Sequence, residues 1–247
     1  MKITRALENK IVALENKYDK NDDGFVTIRE YLDSKISLGP KAYKGELDYS
    51  YQDWHNFMNY FLWMVDNDPK VDILCIPDSV IRFANFKYKA AMVIVYATNK
   101  VILPKTIESG LFKCMAEKSN RFIIMSLMVF DNANDQTGHQ NIILFDIKLK
   151  TVERFEPHGH MSWFSGIDQN RISRISNHVN KEIIKMIDEY LPKFMFISPE
   201  MVSPPQGIQS KADSYNGMCI TWCMIYLHLR ILNPDKSPVK VYRKLLN

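Results

Sequence analysis

No apolar run in the 247 residues approaches the roughly eighteen that a membrane-crossing helix requires. The opening Met1-Lys2-Ile3-Thr4-Arg5 leads into charged sequence and not into an apolar signal core, so a soluble chain that does not engage membranes is expected. Cysteine is scarce. The four present (Cys75, Cys114, Cys219, Cys223) stand in apolar settings without the dense spacing of a secreted disulfide framework, which favours a reducing, intracellular compartment. An excess of one charge is also missing: 32 Lys and Arg against 28 Asp and Glu give +4, which permits contact with nucleic acid but does not demand it. Lys236, Lys240, Arg243 and Lys244 read as a solvated helix face. No internal repeat or low-complexity tract occurs, so a repeat array is not expected. Hydrophobic residues at 46% and charged residues at 24% are what a globular domain carries, and the length suits one sizeable domain with an appendage.

The appendage comes first. Ile3, Leu7, Ile11, Leu14 and Tyr18 recur every three or four residues, the stripe of an amphipathic helix. The next twelve residues are Asp19-Lys20-Asn21-Asp22-Asp23-Gly24-Phe25-Val26-Thr27-Ile28-Arg29-Glu30. They resemble the EF-hand calcium loop at every diagnostic position. The resemblance implies Asp19, Asn21 and Asp23 as oxygen ligands, a sharp turn at Gly24, the Phe25 carbonyl, Thr27, and a bidentate Glu30. Calcium, a hard cation, is the implied cofactor. Gly39-Pro40 ends this helix–loop–helix, which gives domains 1–40 and 41–247.

The larger part mixes the two periodicities. An aromatic-rich helix over residues 54–64 precedes short runs at 73–76 and 91–96, the second a buried strand. A helix is expected over 106–117, an apolar strand over 121–130, an amphipathic helix over 168–191 and a strand over 193–198. The helical stripe of 168–191 is Ile172, Ile175, Val179, Ile183, Ile184, Ile187 and Leu191. Residues 203–209 read as a loop.

Residues 139–146 read as a strand that begins at His139, Lys148-Leu149-Lys150 as a turn, and 151–156 as a strand that ends at Glu156. A hairpin brings the start of its first strand beside the end of its second, so His139 and Glu156 are expected to be neighbours. A carboxylate beside a histidine fixes its tautomer and stabilises the imidazolium, which is what a base serving a thiol needs. Asn216-Gly217-Met218 is a polar turn that opens into the apolar helix Cys219-Ile220-Thr221-Trp222-Cys223-Met224-Ile225-Tyr226-Leu227-His228. That places Cys219 at a helix N-terminus, where unpaired N–H groups and the helix dipole favour a thiolate.

In the order His, Glu, Gln, Cys, these residues resemble the viral members of the adenain and ubiquitin-like-protease superfamily of cysteine peptidases. The features that carry the likeness are Phe155-Glu156-Pro157-His158-Gly159, a cysteine opening an apolar helix with Cys223 one turn on, and an ending Arg230-Ile231-Leu232-Asn233-Pro234 like that in thiol peptidases of large DNA viruses. The resemblance implies Cys219 as nucleophile, His139 as general base and then acid, and Glu156 as its orienting carboxylate. It also implies an oxyanion-hole glutamine upstream, Gln206 or Gln209, with Gln209 preferred. Gln140 stands where the family commonly has Trp, and Ile220 where it commonly has Gly. The implied fold is α+β: a mixed central sheet flanked by helices, with the nucleophile helix buried. The implied substrate is protein, either a viral precursor or a ubiquitin-like conjugate, met in host cytoplasm or virion.

Three rival readings use the same residues. One is a YopJ-type acetyltransferase with a similar His, Glu and Cys set, and another is a catalytically dead protein that binds virion or host components. A zinc site from His158, His160, Cys219 and Cys223 fits poorly, because Cys-x-x-x-Cys on a helix is not the tight turn of structural zinc sites.

Overall fold

The computed structural model describes Asp19, Phe25 and Val26, and residues 73–83, 86–133, 138–160, 169–212 and 219–246. The expected helices over 3–18 and 54–64, most of the calcium-loop ligands and the turn before Cys219 lie outside the described residues. In chain order the elements are β1 (Leu74–Cys75), β2 (Val80–Phe83), β3 (Phe86–Lys89), β4 (Ala91–Val95), β5 (Lys100–Ile102), α1 (Ile107–Ala116), β6 (Phe122–Phe130), β7 (His139–Asp146) and β8 (Thr151–Phe155). There follow α2 (Gln169–Tyr190), β9 (Met195–Ile197), the short α3 (Pro199–Val202) and α4 (Ile208–Ala212), α5 (Cys219–Leu232) and α6 (Pro238–Leu246).

A mixed sheet runs in the order β5-β4-β6-β7-β8-β9, with β1 parallel to the start of β6. Chain connections explain the strand directions. A tight turn joins β7 to β8 as an antiparallel pair, whereas the parallel pair β8 and β9 needs a crossover, supplied by α2. Likewise β4 and β6 are parallel, with β5 and α1 between them in sequence.

All nine residues of β6 are buried, because helices cover both faces of the sheet. Alternation along the strand sends Phe122, Ile124, Met128 and Phe130 to one face and Ile123, Met125, Leu127 and Val129 to the other. The first face packs Cys223, Tyr226, Leu227 and Ile231 of α5 with Val241 and Tyr242 of α6. The second packs Ile107, Leu111 and Cys114 of α1 with Ile175, Val179, Ile183 and Ile187 of α2. This is the expected α+β arrangement of a mixed sheet between helices.

Some expectations change in three dimensions. Ile184 is 41% exposed, because it sits one residue, or a hundred degrees of helix, off the stripe its neighbours bury. The stretch read as a loop over 203–209 already contains the start of α4, and the hairpin β2–β3 and the strand β5, with strands of only three or four residues, are too short to give a periodic signal. Cys75 and Cys114 form a disulfide with Cα atoms 5.6 Å apart, bridging β1 and α1 across 39 residues. A pairing at that separation leaves no local spacing signal, so scarce cysteine is a weak guide to redox compartment here.

Phe25 and Val26 are buried in the same cluster as α5 and α6. The Val26 N–H donates to Asn233 Oδ1 at 2.5 Å, and Asn233 Nδ2 donates to the Val26 carbonyl at 2.6 Å. At these two residues the segment read as a calcium loop is fastened to the end of α5.

Candidate active site

The register of β7 and β8 pairs Ile142 with Phe155, which brings Glu156, the next residue, opposite the Asn141 end of β7. His139 lies two residues further along the same face. Phe155 anchors the strand end from the opposite face by stacking on Tyr226 of α5, with ring centroids 4.0 Å apart. Glu156 Oε1 then reaches His139 Nε2 at 2.6 Å and also accepts the His158 backbone N–H at 3.1 Å. Its other oxygen accepts Arg154 Nη2 at 3.1 Å.

Cys219 arrives on α5. Its one-turn neighbour Cys223 is fully buried and donates its thiol to the Gln140 carbonyl at 3.6 Å, which fixes the start of the helix against the start of β7. Cys219 itself is 8% exposed and hydrogen-bonds the His139 side chain. The two cysteines thus differ in kind: burial pushes the Cys223 thiol well above its ordinary range, and only Cys219 meets a histidine.

The charges follow from burial and neighbours. Burial alone would lower the pKa of His139; the attraction of Glu156, with hydrogen bonds to Cys219 and Glu156, outweighs it and raises the value to about 10. Burial would raise that of Glu156, but His139 and then Arg154 bring it down to about 2. At neutral pH the pair is therefore imidazolium and carboxylate. His158 packs its ring 4.9 Å from that of His139 and is pushed down to about 4, by burial first and by the His139 charge second, so it stays neutral. One protonated histidine thus stands between a carboxylate and the Cys219 sulfur.

The glutamine candidates separate by position. Gln206 is exposed, whereas Gln209 is 1% exposed on α4. The Gln209 N–H donates to the Pro157 carbonyl at 3.0 Å and the Gly207 N–H to the His158 carbonyl at 2.7 Å, so this segment is stitched to the residues that follow Glu156. The α4 helix also packs against α5. Gly159 and Gly207 lie back to back: a Cβ on either would overlap the other's backbone, and Gly159 holds φ at +86°. The glycine of Phe155-Glu156-Pro157-His158-Gly159 is thus required by the approach of the glutamine-bearing segment. Gln140, at the position commonly Trp in the resembling family, is buried and exchanges hydrogen bonds with Ser126 Oγ.

The structure brings Cys219, His139 and Glu156 together and sets Gln209 beside the Glu156 segment. Of the expected calcium ligands, Asp19 and Phe25 fall among the described residues; Asn21, Asp23, Thr27 and Glu30 do not. Arg154 was not foreseen as part of the site, although alternation along β8 already places it on the Glu156 face. The end of α5 also gains a reason: Arg230 Nε bonds Glu153 Oε1 at 2.8 Å, on the opposite face of β8 from Arg154, and Asn233 holds Val26.

No family model matches the chain. A mimivirus protein (Acanthamoeba polyphaga mimivirus), named as an ankyrin repeat protein, is 24% identical over 161 residues, which cover 60% of this chain and 20% of that protein. The chain thus spans about a fifth of the length of the curated relative it matches, and the described residues form a mixed sheet and not stacked helix pairs.

Proposed function

We propose that this chain is a cysteine peptidase that hydrolyses peptide or isopeptide bonds with Cys219, His139 and Glu156. The observation that carries the reading is the 2.6 Å contact between Glu156 and His139, with the Cys219 thiol on the same ring at the N-terminus of a buried helix. The ring gives Nε2 to Glu156, so Nδ1 is left to exchange a proton with sulfur. With the sulfur's proton on His139, the Cys219 thiolate attacks the substrate carbonyl, and His139 passes that proton to the leaving amine as the acyl-enzyme forms. Water, losing a proton to His139, then releases the acyl group and restores the thiolate–imidazolium pair. The oxyanion is met by the Cys219 backbone N–H at the helix start and by the Gln209 amide. The substrate class is protein, a viral precursor or a ubiquitin-like conjugate, and the setting is host cytoplasm or virion.

The segment 19–30 is proposed to hold calcium through Asp19, Asn21, Asp23, the Phe25 carbonyl, Thr27 and Glu30. The donor set is all oxygen, as this hard cation requires, and the ion's part is to order the loop, with no role in proton transfer.

The test is cleavage of virion-precursor peptides and ubiquitin-type C-terminal reporters by the native chain and by Cys219→Ala. Loss of all turnover with an unchanged melting temperature is expected, and undiminished cleavage by the variant rejects the reading. Acetyl transfer from acetyl-CoA to a target lysine would point to the acetyltransferase instead.

A further inference from the structure

We propose that Arg154 is a positioning residue for this site: its guanidinium locks the Glu156 carboxylate so that Oε1 stays on His139. The inference rests on the peptidase reading for its catalytic consequence, but the lock itself is geometric. Glu156 follows the last residue of β8, so strand pairing does not set its side chain and its carboxylate takes its orientation from its hydrogen-bond partners. Arg154 takes Oε2 at 3.1 Å, and His139 with the His158 N–H occupies Oε1, so both oxygens are engaged from different directions.

Arg154 can hold because it is itself held on every edge. Its Nε donates to Asn141 Oδ1 at 2.7 Å, and Nη1 to Asn180 Oδ1 at 2.9 Å, Ser176 Oγ at 3.2 Å and the Ser176 carbonyl at 3.3 Å. These partners come from β7 and α2, so the planar fork ties the strand that carries His139 to the helix that covers this face. Lysine, with a single mobile ammonium, cannot make that set.

Stability does not account for such an arrangement. The Arg154 and Glu156 side chains are each 1% exposed, and burying both charges costs several kcal/mol of desolvation, so well-packed apolar residues are often as stable or more so. Geometry gives a chemical reason: with Oε2 held by Arg154, Oε1 stays on His139 while the ring receives and returns its proton. Arg154 also competes with His139 for the same carboxylate, which eases release of the proton that His139 must donate.

The experiment compares the full-length native chain with Arg154→Gln and Arg154→Lys by three readouts: NMR titration of the His139 ring, kcat and KM on a reporter the native chain cleaves, and the thermal midpoint. In Arg154→Gln the His139 titration should move to higher pH. Its kcat should fall about 10- to 100-fold with KM nearly unchanged, the scale on which groups supporting a site's direct ligands act. Arg154→Lys should restore the titration, because the charge is kept, and only part of kcat, because the fork is not. If both variants fold and His139 titrates as in the native chain with unaltered kcat, Arg154 is structural only and the inference fails. If Arg154→Gln does not fold, Asn180→Ala loosens the same guanidinium more gently and should shift both readouts in the same direction by less; no shift there overturns the proposal. A native chain that cleaves no reporter rejects the peptidase reading, and the titration alone then decides whether Arg154 governs the His139–Glu156 pair.

Discussion

Glu156 Oε1 lies 2.6 Å from His139 Nε2, at the open end of a hairpin whose two strands set the residues 17 positions apart in sequence. Glu156→Gln keeps the shape and removes the charge that holds the imidazolium. Turnover should fall about a thousandfold or more, as when the acid of a comparable triad is made an amide. Single-turnover kinetics on a cleavable reporter measures this directly, and a loss under tenfold would show that the carboxylate does not serve the histidine.

Stability should peak near pH 6.5. Toward acid, the unfolded chain takes up protons at His158 and His228 that the folded chain refuses until about pH 4 and about pH 3, so stability falls as pH drops below 6.5. Toward alkali, folded His139 keeps its proton up to about pH 10 while the unfolded one loses it near 6.5, so stability falls again as pH rises through that window. Glu156, lowered to about 2, is the other half of the same ion pair, and its share is lost only as pH falls from about 4.5 through 2. Denaturant midpoints from pH 4 to 10 should trace this dome, and His228→Gln should flatten its acid limb.

Gly159→Ala should destabilise by about 2 kcal/mol or more, from left-handed strain plus overlap with the Gly207 backbone. The same change at Gly110, where the nearest neighbour is the Pro77 side chain at 3.0 Å and φ is ordinary, should be milder. Urea melts of the two variants side by side give the comparison; equal losses would mean the Gly159–Gly207 contact is not as close as described.

Asn233→Leu strips both hydrogen bonds from the buried Val26 peptide, leaving an N–H and a carbonyl unpaired at about 1–3 kcal/mol each. The melting temperature should drop by several degrees. If calcium occupies residues 19–30 as proposed, added calcium should raise the native midpoint and chelator lower it. Differential scanning calorimetry with and without the ion reads both effects; no shift with calcium in the native protein removes the calcium proposal.

The sequence by itself determined the elements that carry the site. The apolar run of β6, the polar turn between β7 and β8, and the α2 stripe are local patterns, and the hairpin alone makes His139 and Glu156 neighbours. Cys219 opening an apolar helix was equally legible. Tertiary structure decided whatever depends on which faces meet. It placed α5 so that Cys219 and not Cys223 meets His139, and it paired Cys75 with Cys114 across 39 residues. It buried Gln209 beside Pro157 while leaving Gln206 exposed, and it set Asn233 on Val26, 207 positions away. Periodicity reports which side of an element is buried, but not which partner buries it. The Arg154–Glu156 lock and the Gly159–Gly207 contact, which hold the candidate site in shape, are of that second kind.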